Sequence, residues 1–126
     1  MQDPGPRTVV VVEDDVSMSQ AMERILRLAG FAPATFATAE EVVASHAAGE
    51  AVCLIIDVQL PGQNGFALRD RLAAGGALPP VIFISAFDEP DTRAQAESAG
   101  ADFLTKPFSG RTLLETIRKT AAVRAK

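Results

Sequence analysis

The sequence predicts an α/β fold with a parallel sheet and helices on both of its faces. Short apolar runs alternate about five times with segments of helical periodicity, and the connections between them are short, as in right-handed crossovers. Residues 9–12 are all valine and residues 52–56 are all apolar, as is typical of strands buried on both faces. Both runs lead into acidic residues, which is the edge where such sheets hold their chemistry.

Local start and stop signals place the elements in order. Gly30 ends the apolar stripe of the first helix, and Thr38 with Glu41 matches a capping box at the start of the second. Pro33 suits an edge strand because proline cannot donate to a central ladder. In chain order we predict strands near 8–12, 31–36, 52–56, 81–84 and 101–104, with helices near 17–29, from 38 to about 46–49, from 64 to about 74, from 90, and from 109.

The last three helices differ in how strongly the sequence holds them. The fourth is rich in alanine and polar residues and has no strong apolar stripe, so little apolar area would anchor it. The fifth is expected to bury the aliphatic side chains Leu113, Leu114 and Ile117. Predicted N-terminal residues are Asn64 for the third helix, Asp88 or Glu89 before Pro90 for the fourth, and Ser109 for the fifth.

Composition limits the classes of function. A chain of 126 residues suits one domain, which we place at 7–122 between a flexible segment 1–6 and a tail 123–126. The net charge is −4 and the basic residues are dispersed, which disfavours direct nucleic-acid binding. No apolar run approaches the roughly 20 residues that span a membrane, and no signal peptide is visible. The single cysteine, Cys53, permits no intrachain disulfide, which agrees with a cytoplasmic location.

Polar side chains of functional type follow four of the five predicted strands. Because the carboxyl ends of parallel strands meet at one edge of the sheet, we expect these side chains to converge there. In chain order they are Glu13, Asp14 and Asp15 after the first strand, Asp57 after the third, Ser85 after the fourth and Lys106 after the fifth.

Convergent carboxylates repel one another, so this edge needs a cation. Oxygen ligands of this kind select Mg²⁺, Mn²⁺ or Ca²⁺. A carboxylate such as Asp57 can also act as a nucleophile towards phosphorus. Lys106 would supply positive charge and Ser85 a hydrogen bond to a bound anion. The chemistry that the set favours is phosphoryl transfer onto Asp57, in which catalysis is mostly positioning and charge neutralisation.

Four motifs together resemble the receiver domain of two-component response regulators. They are Val-Glu-Asp-Asp at 12–15, Ile-Asp-Val-Gln-Leu-Pro-Gly at 56–62, Ile-Ser-Ala at 84–86 and Lys-Pro-Phe at 106–108, in the family's order and spacing. Segment 98–108 resembles the FixJ-type subgroup. The resemblance implies a flavodoxin-like (βα)5 fold with strand order 2-1-3-4-5.

The resemblance also implies a role for each residue of the motifs. Asp57 would be the phosphoacceptor, and Ser85 and Lys106 would contact the phosphoryl group. Asp14 would bind the metal directly, with Glu13 acting through water and Gln59 through its backbone carbonyl. Phe103 stands at the position of the switch aromatic, and the Lys106–Pro107 peptide is expected to be cis. Asp15 is interpreted as a solvated neighbour of the metal site.

The function implied is a phosphorylation-controlled signalling switch. A sensor histidine kinase or a phosphotransfer protein would donate the phosphoryl group, with Mg²⁺ as cofactor and Mn²⁺ as a second candidate. Phosphorylation would remodel the surface formed by the fourth helix, fifth strand and fifth helix, where a second copy of the chain is a further expected partner. The chain would catalyse only its own phosphorylation and dephosphorylation. Both a stand-alone receiver and part of a regulator with a DNA-binding output domain fit the sequence.

Three other functions fit the sequence less well than the switch. A haloacid-dehalogenase-type phosphatase needs an aspartate two residues after the nucleophile, where this chain has Gln59. A flavodoxin that binds FMN needs a Ser/Thr/Gly-rich loop after the first strand, where this chain has acids that would repel a phosphate. A module that only docks would not need the full set of acids, hydroxyl and lysine. Gln59 and Phe87 lie at positions that tune phosphoaspartate hydrolysis in the family, and Phe103 lacks the hydroxyl of a tyrosine.

Overall fold

A computed structural model describes residues 7–76 and 78–125, and these form a five-stranded parallel sheet with helices on both faces. The strand order is β2-β1-β3-β4-β5, so the predicted flavodoxin-like topology is confirmed. The predicted segment 1–6 lies outside the described residues. The strands are β1 (Thr8–Val12), β2 (Ala32–Phe36), β3 (Cys53–Asp57), β4 (Val81–Ser85) and β5 (Asp102–Thr105).

Five α-helices cover the two faces of the sheet. The last of them continues beyond residue 122, where we predicted the end of the domain. Within the described ranges, no helix combines the length and the apolar character needed to cross a membrane. The helices are α1 (Val16–Leu28), α2 (Ala39–Ser45), α3 (Gly65–Ala74), α4 (Pro90–Ser98) and α5 (Gly110–Ala125), with a short 3₁₀ helix at Ala47–Glu50.

The predicted caps of α2, α3 and α5 are present as hydrogen bonds, whereas α4 begins after Glu89 without a hydrogen bond from that side chain. The Thr38 hydroxyl accepts from the Glu41 amide at 3.1 Å while the Glu41 carboxylate accepts from the Thr38 amide at 3.1 Å, which completes the capping box. Asn64 accepts from the backbone of α3 at 2.8 Å and Ser109 from that of α5 at 3.0 Å. Helix α1 begins earlier than predicted because Asp15 caps it, accepting from the backbone at 3.1 Å. These bonds satisfy amide groups that a helix N-terminus leaves unpaired.

The sheet separates the core into two apolar clusters, one on each face. Alternate residues of each central strand face opposite clusters, which explains why the runs that form β1 and β3 are apolar at every position. Helices α1 and α5 cover one cluster, and α2, α3 and α4 cover the other. Leu113 and Ile117 of α5 are buried as predicted, whereas Leu114 is only partly buried at the border of its cluster.

Gly65, the first residue of α3, fixes how closely this helix approaches the end of β3. A Cβ atom at this position would lie 2.6 Å from the backbone oxygen of Asp57 and 2.8 Å from a side-chain carbon of Ile56. The Gly65 amide donates to the Val58 carbonyl at 2.8 Å. Such close backbone approach is possible only for glycine. Gly65 thereby returns the chain from the loop directly onto the residue that ends β3.

Candidate functional site

The parallel register brings the predicted site residues to one edge of the sheet. Asp57 is the last residue of β3 and Ser85 the last of β4, and these strands are neighbours. Glu13 follows β1 on the other side of β3, and Lys106 follows β5 beyond β4. Asp57 therefore lies at the centre, with an acidic loop on one side and the hydroxyl and the lysine on the other.

Three carboxylates form a compact cluster at this edge. One oxygen atom from each of Glu13, Asp14 and Asp57 lies within 4.8 Å of the other two. Glu13 and Asp57 are only 2% and 3% exposed, whereas Asp14 is exposed. Burial is the main cause that raises the pKa of Glu13 to about 7, and the neighbouring Asp57 raises this pKa further while Lys106 lowers it. A proton or a cation is therefore favoured at the cluster near neutral pH.

Lys106 is the cation of the site. Its ammonium nitrogen lies 2.6 Å from Glu13 Oε1 and 3.1 Å from Asp57 Oδ2. Burial acts to lower the pKa of Lys106, but the two carboxylates outweigh burial and the pKa is raised overall. The backbone amide of Lys106 donates to the Ser85 carbonyl at 2.8 Å, and the Lys106–Pro107 peptide is cis, as predicted. The lysine is thus held as a protonated neighbour of the candidate phosphoacceptor.

The donor set of the cluster fits Mg²⁺. Its ligand atoms are hard carboxylate oxygens, and the lysine supplies one positive charge against three acids. The Glu13 Oε1 atom is buried and accepts no hydrogen bond of regular geometry, although Lys106 lies beside it. An acidic pocket with negative charge in excess, open to solvent on the Asp14 side, is a site that a hydrated divalent cation can enter.

The side chain of Gln59 takes part in the site in a way that the sequence analysis missed. Its amide oxygen accepts a hydrogen bond of 3.0 Å from the Ser85 hydroxyl, while its backbone amide donates to Asp57 Oδ1 at 2.9 Å. Ser85 is fully buried and also accepts from the Phe87 amide at 3.0 Å. The pairing of Asp57 with Ile84 places residues just past Asp57 beside the end of β4, so strand order indicates that Gln59 and Ser85 are near each other but not that they share a hydrogen bond.

The predicted switch aromatic lies away from this pocket, on the edge strand β5. Phe103 is partly buried, and the guanidinium of Arg93 lies 4.9 Å from the centre of its ring. Arg93 also donates to the Thr105 hydroxyl at 3.2 Å and is ion-paired with Asp88 in the loop before α4. One exposed arginine thus connects α4 to β5 and to that loop.

Four other residues singled out by type or position lie outside the carboxylate cluster. Asp15 is exposed and caps α1, so its contacts explain it without a metal. His46 is exposed and ends α2 in the left-handed conformation, with a φ of 59°. Cys53 is fully buried, and burial raises the pKa of its thiol to about 12. Phe87, beside the pocket, is 55% exposed. His46 is therefore a surface residue, and Cys53 is part of the core.

Curated proteins similar to this chain include a bacterial nodulation protein and bacterial transcriptional regulatory proteins. Nodulation protein W of Bradyrhizobium diazoefficiens is 36% identical over 110 residues, covering 86% of this chain and 48% of that protein. The C4-dicarboxylate transport transcriptional regulatory protein DctD of Rhizobium meliloti is 34% identical over 113 residues, covering 89% of this chain and 25% of that protein. The chain spans half or less of the length of these two relatives. Neither relative indicates the FixJ-type subgroup, which stays a prediction.

Solved structures show the same fold. The crystal structure of a response regulator receiver protein from Burkholderia phymatum superposes with a TM-score of 0.80 at 40% identity, covering 92% of this chain and 95% of that chain. A model of the response regulator receiver domain family matches residues 9–118, nearly the whole described fold. The chain therefore belongs to the response regulator receiver domain family of two-component signalling, whose members act as phosphorylation-controlled switches, bind Mg²⁺ at an acidic pocket and interact with histidine kinases or phosphotransfer proteins.

Proposed function

We propose that Asp57 of this chain accepts a phosphoryl group from a histidine kinase or a phosphotransfer protein in an Mg²⁺-dependent reaction. The observation that carries the proposal is the position of Asp57 at the centre of the pocket. Its carboxylate lies 3.1 Å from the Lys106 ammonium and within 4.8 Å of oxygens from both Glu13 and Asp14. A nucleophile, a fixed positive charge and a cation site are thereby adjacent, which is what phosphoryl transfer requires.

The transfer step would replace a bond to nitrogen with a bond to oxygen. A carboxylate oxygen of Asp57 attacks the phosphorus of a phosphohistidine, a P–O bond forms, the P–N bond breaks, and its electron pair leaves on the imidazole nitrogen. When bound, Mg²⁺ supplies charge neutralisation for the phosphoryl oxygens. Asp14, Asp57 and the Gln59 backbone carbonyl would hold the metal directly, with Glu13 acting through water.

Lys106 and Ser85 would act on the phosphoryl group rather than on the donor. The Lys106 ammonium nitrogen already lies 3.1 Å from Asp57 Oδ2. Its positive charge is therefore in place before the phosphodonor binds, and the site need not reorganise during the transfer. Ser85 would hydrogen-bond a phosphoryl oxygen after leaving its present acceptor. With these roles the chain catalyses its own phosphorylation and dephosphorylation only. A phosphatase acting on other substrates is disfavoured because position 59 carries an amide, which cannot serve as a general acid.

The output of the switch would be a rearrangement on the far side of β4. Movement of Ser85 towards the phosphoryl group would vacate space for Phe103, and α4, β5 and α5 would shift with it. Helix α4 is suited to move because Ala96 is its one buried residue within the described chain. The same surface is where we expect a second copy of the chain to dock, with specificity set by the exposed charges Arg93, Glu97, Arg111 and Arg118.

Intact-mass measurement after treatment with a small phosphodonor tests the chemistry. Wild-type protein should gain the mass of one phosphoryl group only when Mg²⁺ is present. Asp57→Asn should gain none because an amide cannot be the nucleophile, and Asp14→Ala nearly none because the metal site is weakened. Asp15→Asn is the matched control, since asparagine caps a helix as well as aspartate and Asp15 lies outside the proposed ligand set. Normal labelling of Asp57→Asn would refute the proposal.

A further inference from the structure

The hydroxyl of Ser85 has no free donor in the unphosphorylated chain. Its single proton is donated to the Gln59 amide oxygen at 3.0 Å, and the oxygen itself accepts from the Phe87 amide at 3.0 Å. A serine hydroxyl has one proton to give. Ser85 is fully buried, so water does not compete for that proton. Ser85 can therefore donate to a phosphoryl oxygen only after it gives up Gln59.

We propose that Gln59 is a positioning residue whose side chain sets how readily Ser85 engages the phosphoryl group. Its amide oxygen competes with the phosphoryl group on Asp57 for the only proton of the Ser85 hydroxyl. Gln59 thereby raises the apparent Kd of a phosphoryl mimic at this site, which is the threshold of the switch. This inference rests on the proposed phosphorylation of Asp57. It adds to that function a residue whose side chain contacts the switch hydroxyl rather than the metal.

Gln59 contacts both Asp57 and Ser85, so its side chain is placed to compete for the Ser85 proton. Its backbone amide donates to Asp57 Oδ1 at 2.9 Å, and its side chain accepts from Ser85, so one residue contacts both partners of the future bond. The Phe87 amide contacts the same hydroxyl but takes no proton from it, so Phe87 does not compete.

The direction of the competition follows from charge. A phosphoryl oxygen is a charged acceptor and binds a hydroxyl roughly twice as strongly as a neutral amide oxygen does. The phosphoryl group therefore wins, but part of its advantage is used to release Gln59. A neutral hydrogen bond of this kind is worth about 1 kcal/mol, which corresponds to roughly a fivefold change in an equilibrium constant. Loss of the Gln59 amide oxygen should therefore lower the apparent Kd for a phosphoryl mimic about fivefold.

Beryllofluoride with Mg²⁺ serves as a phosphoryl mimic whose binding can be measured without any turnover. Fluorine NMR of bound and free species gives an apparent Kd for wild type, Gln59→Leu, Ser85→Ala and the double variant. Gln59→Leu should bind about five times more tightly than wild type. In the Ser85→Ala background the same substitution should change nothing, because the contested proton is gone. Gln59→Met, which keeps an unbranched chain, should shift the Kd in the same direction as Gln59→Leu.

Gln63→Leu is the matched control. It removes the same amide from the same loop, where Gln63 accepts from Arg71 at 3.1 Å, and its Kd should equal that of wild type. Unchanged or weaker binding by Gln59→Leu would overturn the inference, as would a gain that persists in the Ser85→Ala background. If wild type itself binds no beryllofluoride, or Asp57→Asn binds it equally well, the proposed function fails and this inference fails with it.

Discussion

The two sides of the phosphoacceptor pocket are built differently. Strands β3 and β4, which carry Asp57 and Ser85, are buried at every position. Phe83 of β4 is fully buried and packs against Phe66 of α3 with ring centres 4.4 Å apart. We call strands β3 and β4 the floor of the pocket. Any movement of this floor would disturb close-packed apolar contacts on both faces of the sheet. The backbone of β3 and β4 is therefore a fixed frame for Asp57 and Ser85, and within it the Ser85 side chain can change its hydrogen-bond acceptor.

The flank formed by α4 and β5 is held by other means. Strand β5 is only partly buried at all four positions, and α4 contributes Ala96 as its buried residue. The contacts between them include the exposed Arg93, which lies over Phe103 and donates to Thr105. Exposed polar contacts are worth little and reform at low cost. Phosphorylation would take place on the tightly packed strands β3 and β4. Because only α4 and β5 are held loosely enough to move, we expect the resulting rearrangement on that flank.

Truncating an aromatic ring on each side is the strongest test of this comparison. Phe83 and Phe103 are paired directly across β4 and β5, so they form a matched pair. Phe83→Ala should lower the free energy of unfolding by about 3–5 kcal/mol because it leaves a cavity in a fully packed core. Phe103→Ala should cost less than half of that. Urea denaturation measures both, and equal costs would show that floor and flank are packed alike.

The free energy of unfolding should depend on pH in opposite directions for a carboxylate on each side of the pocket. Burial is the main cause that raises the pKa of Glu13 in the pocket from its usual value of 4.5 to about 7. The folded protein then holds more protons than the unfolded chain between these pH values, so the contribution of Glu13 to stability falls as pH rises from 4.5 to 7. The slope approaches at most about 1.4 kcal/mol per pH unit. Denaturation in metal-free buffer should show this fall in wild type but not in Glu13→Gln.

Asp88 on the flank gives the opposite sign and is the control for that titration. Its hydrogen bond with Arg93 lowers its pKa, so its contribution is present at neutral pH and is lost as pH falls below the usual range for aspartate. Asp88 is exposed, and solvent screens its ion pair. Asp88→Asn should therefore leave the pH dependence of stability between 4.5 and 7 as in wild type. A change as large as that of Glu13→Gln would contradict the assignment of the buried charge to the pocket.

Hydrogen exchange resolves the comparison along the chain. Amides of β3 and β4 should exchange only through global unfolding, with protection close to the full free energy of unfolding. Amides of α4 and β5 should open locally, several orders of magnitude faster. A phosphoryl mimic should alter protection of residues 86–122 and leave the floor unchanged. Equal protection of 86–122 in both states would leave a phosphoacceptor without a switch.

The smallest expected effect concerns Arg93. Arg93→Ala removes the cation from the face of Phe103, and an exposed contact of this kind is worth about 0.5–1 kcal/mol. Stability should therefore change by no more than that, while exchange of the β5 amides speeds up. Arg111→Ala removes an exposed arginine whose ion pair stays within α5 and serves as the control. A large loss of stability in Arg93→Ala would mean that the flank is a structural element of the core.

The sequence predicted the frame better than the contacts within it. Strand order and capping residues could be predicted because apolar runs, Thr38, Asn64 and Ser109 act through local chemistry or through a recognisable topology. The convergence of Asp57, Ser85 and Lys106 followed from the parallel sheet alone. The bond between Ser85 and Gln59 could not be predicted, because it depends on side-chain conformations where two strands end.

Errors in the predicted boundaries have a similar origin. Helix α1 starts at Val16 rather than 17 because Asp15, interpreted as a solvated neighbour of the metal site, is used as a cap. A cap and a metal ligand have the same side chain, and only the position of the helix axis distinguishes them. Leu114 has the periodicity of a core residue but lies at the border of its cluster, because periodicity gives the face of a helix and not its depth.

The close approach at Gly65 sets a rule for anyone who redesigns this chain. A biosensor or a switch with a new input would be built by exchanging the loop that follows Asp57. That exchange has a fixed endpoint, because the replacement must return to glycine at position 65, where a Cβ atom would lie 2.6 Å from the Asp57 backbone oxygen. Gly62, three residues earlier in the same loop, has open space around it and is limited only by its positive φ of 75°. A combinatorial library should therefore vary the loop interior and keep position 65 constant.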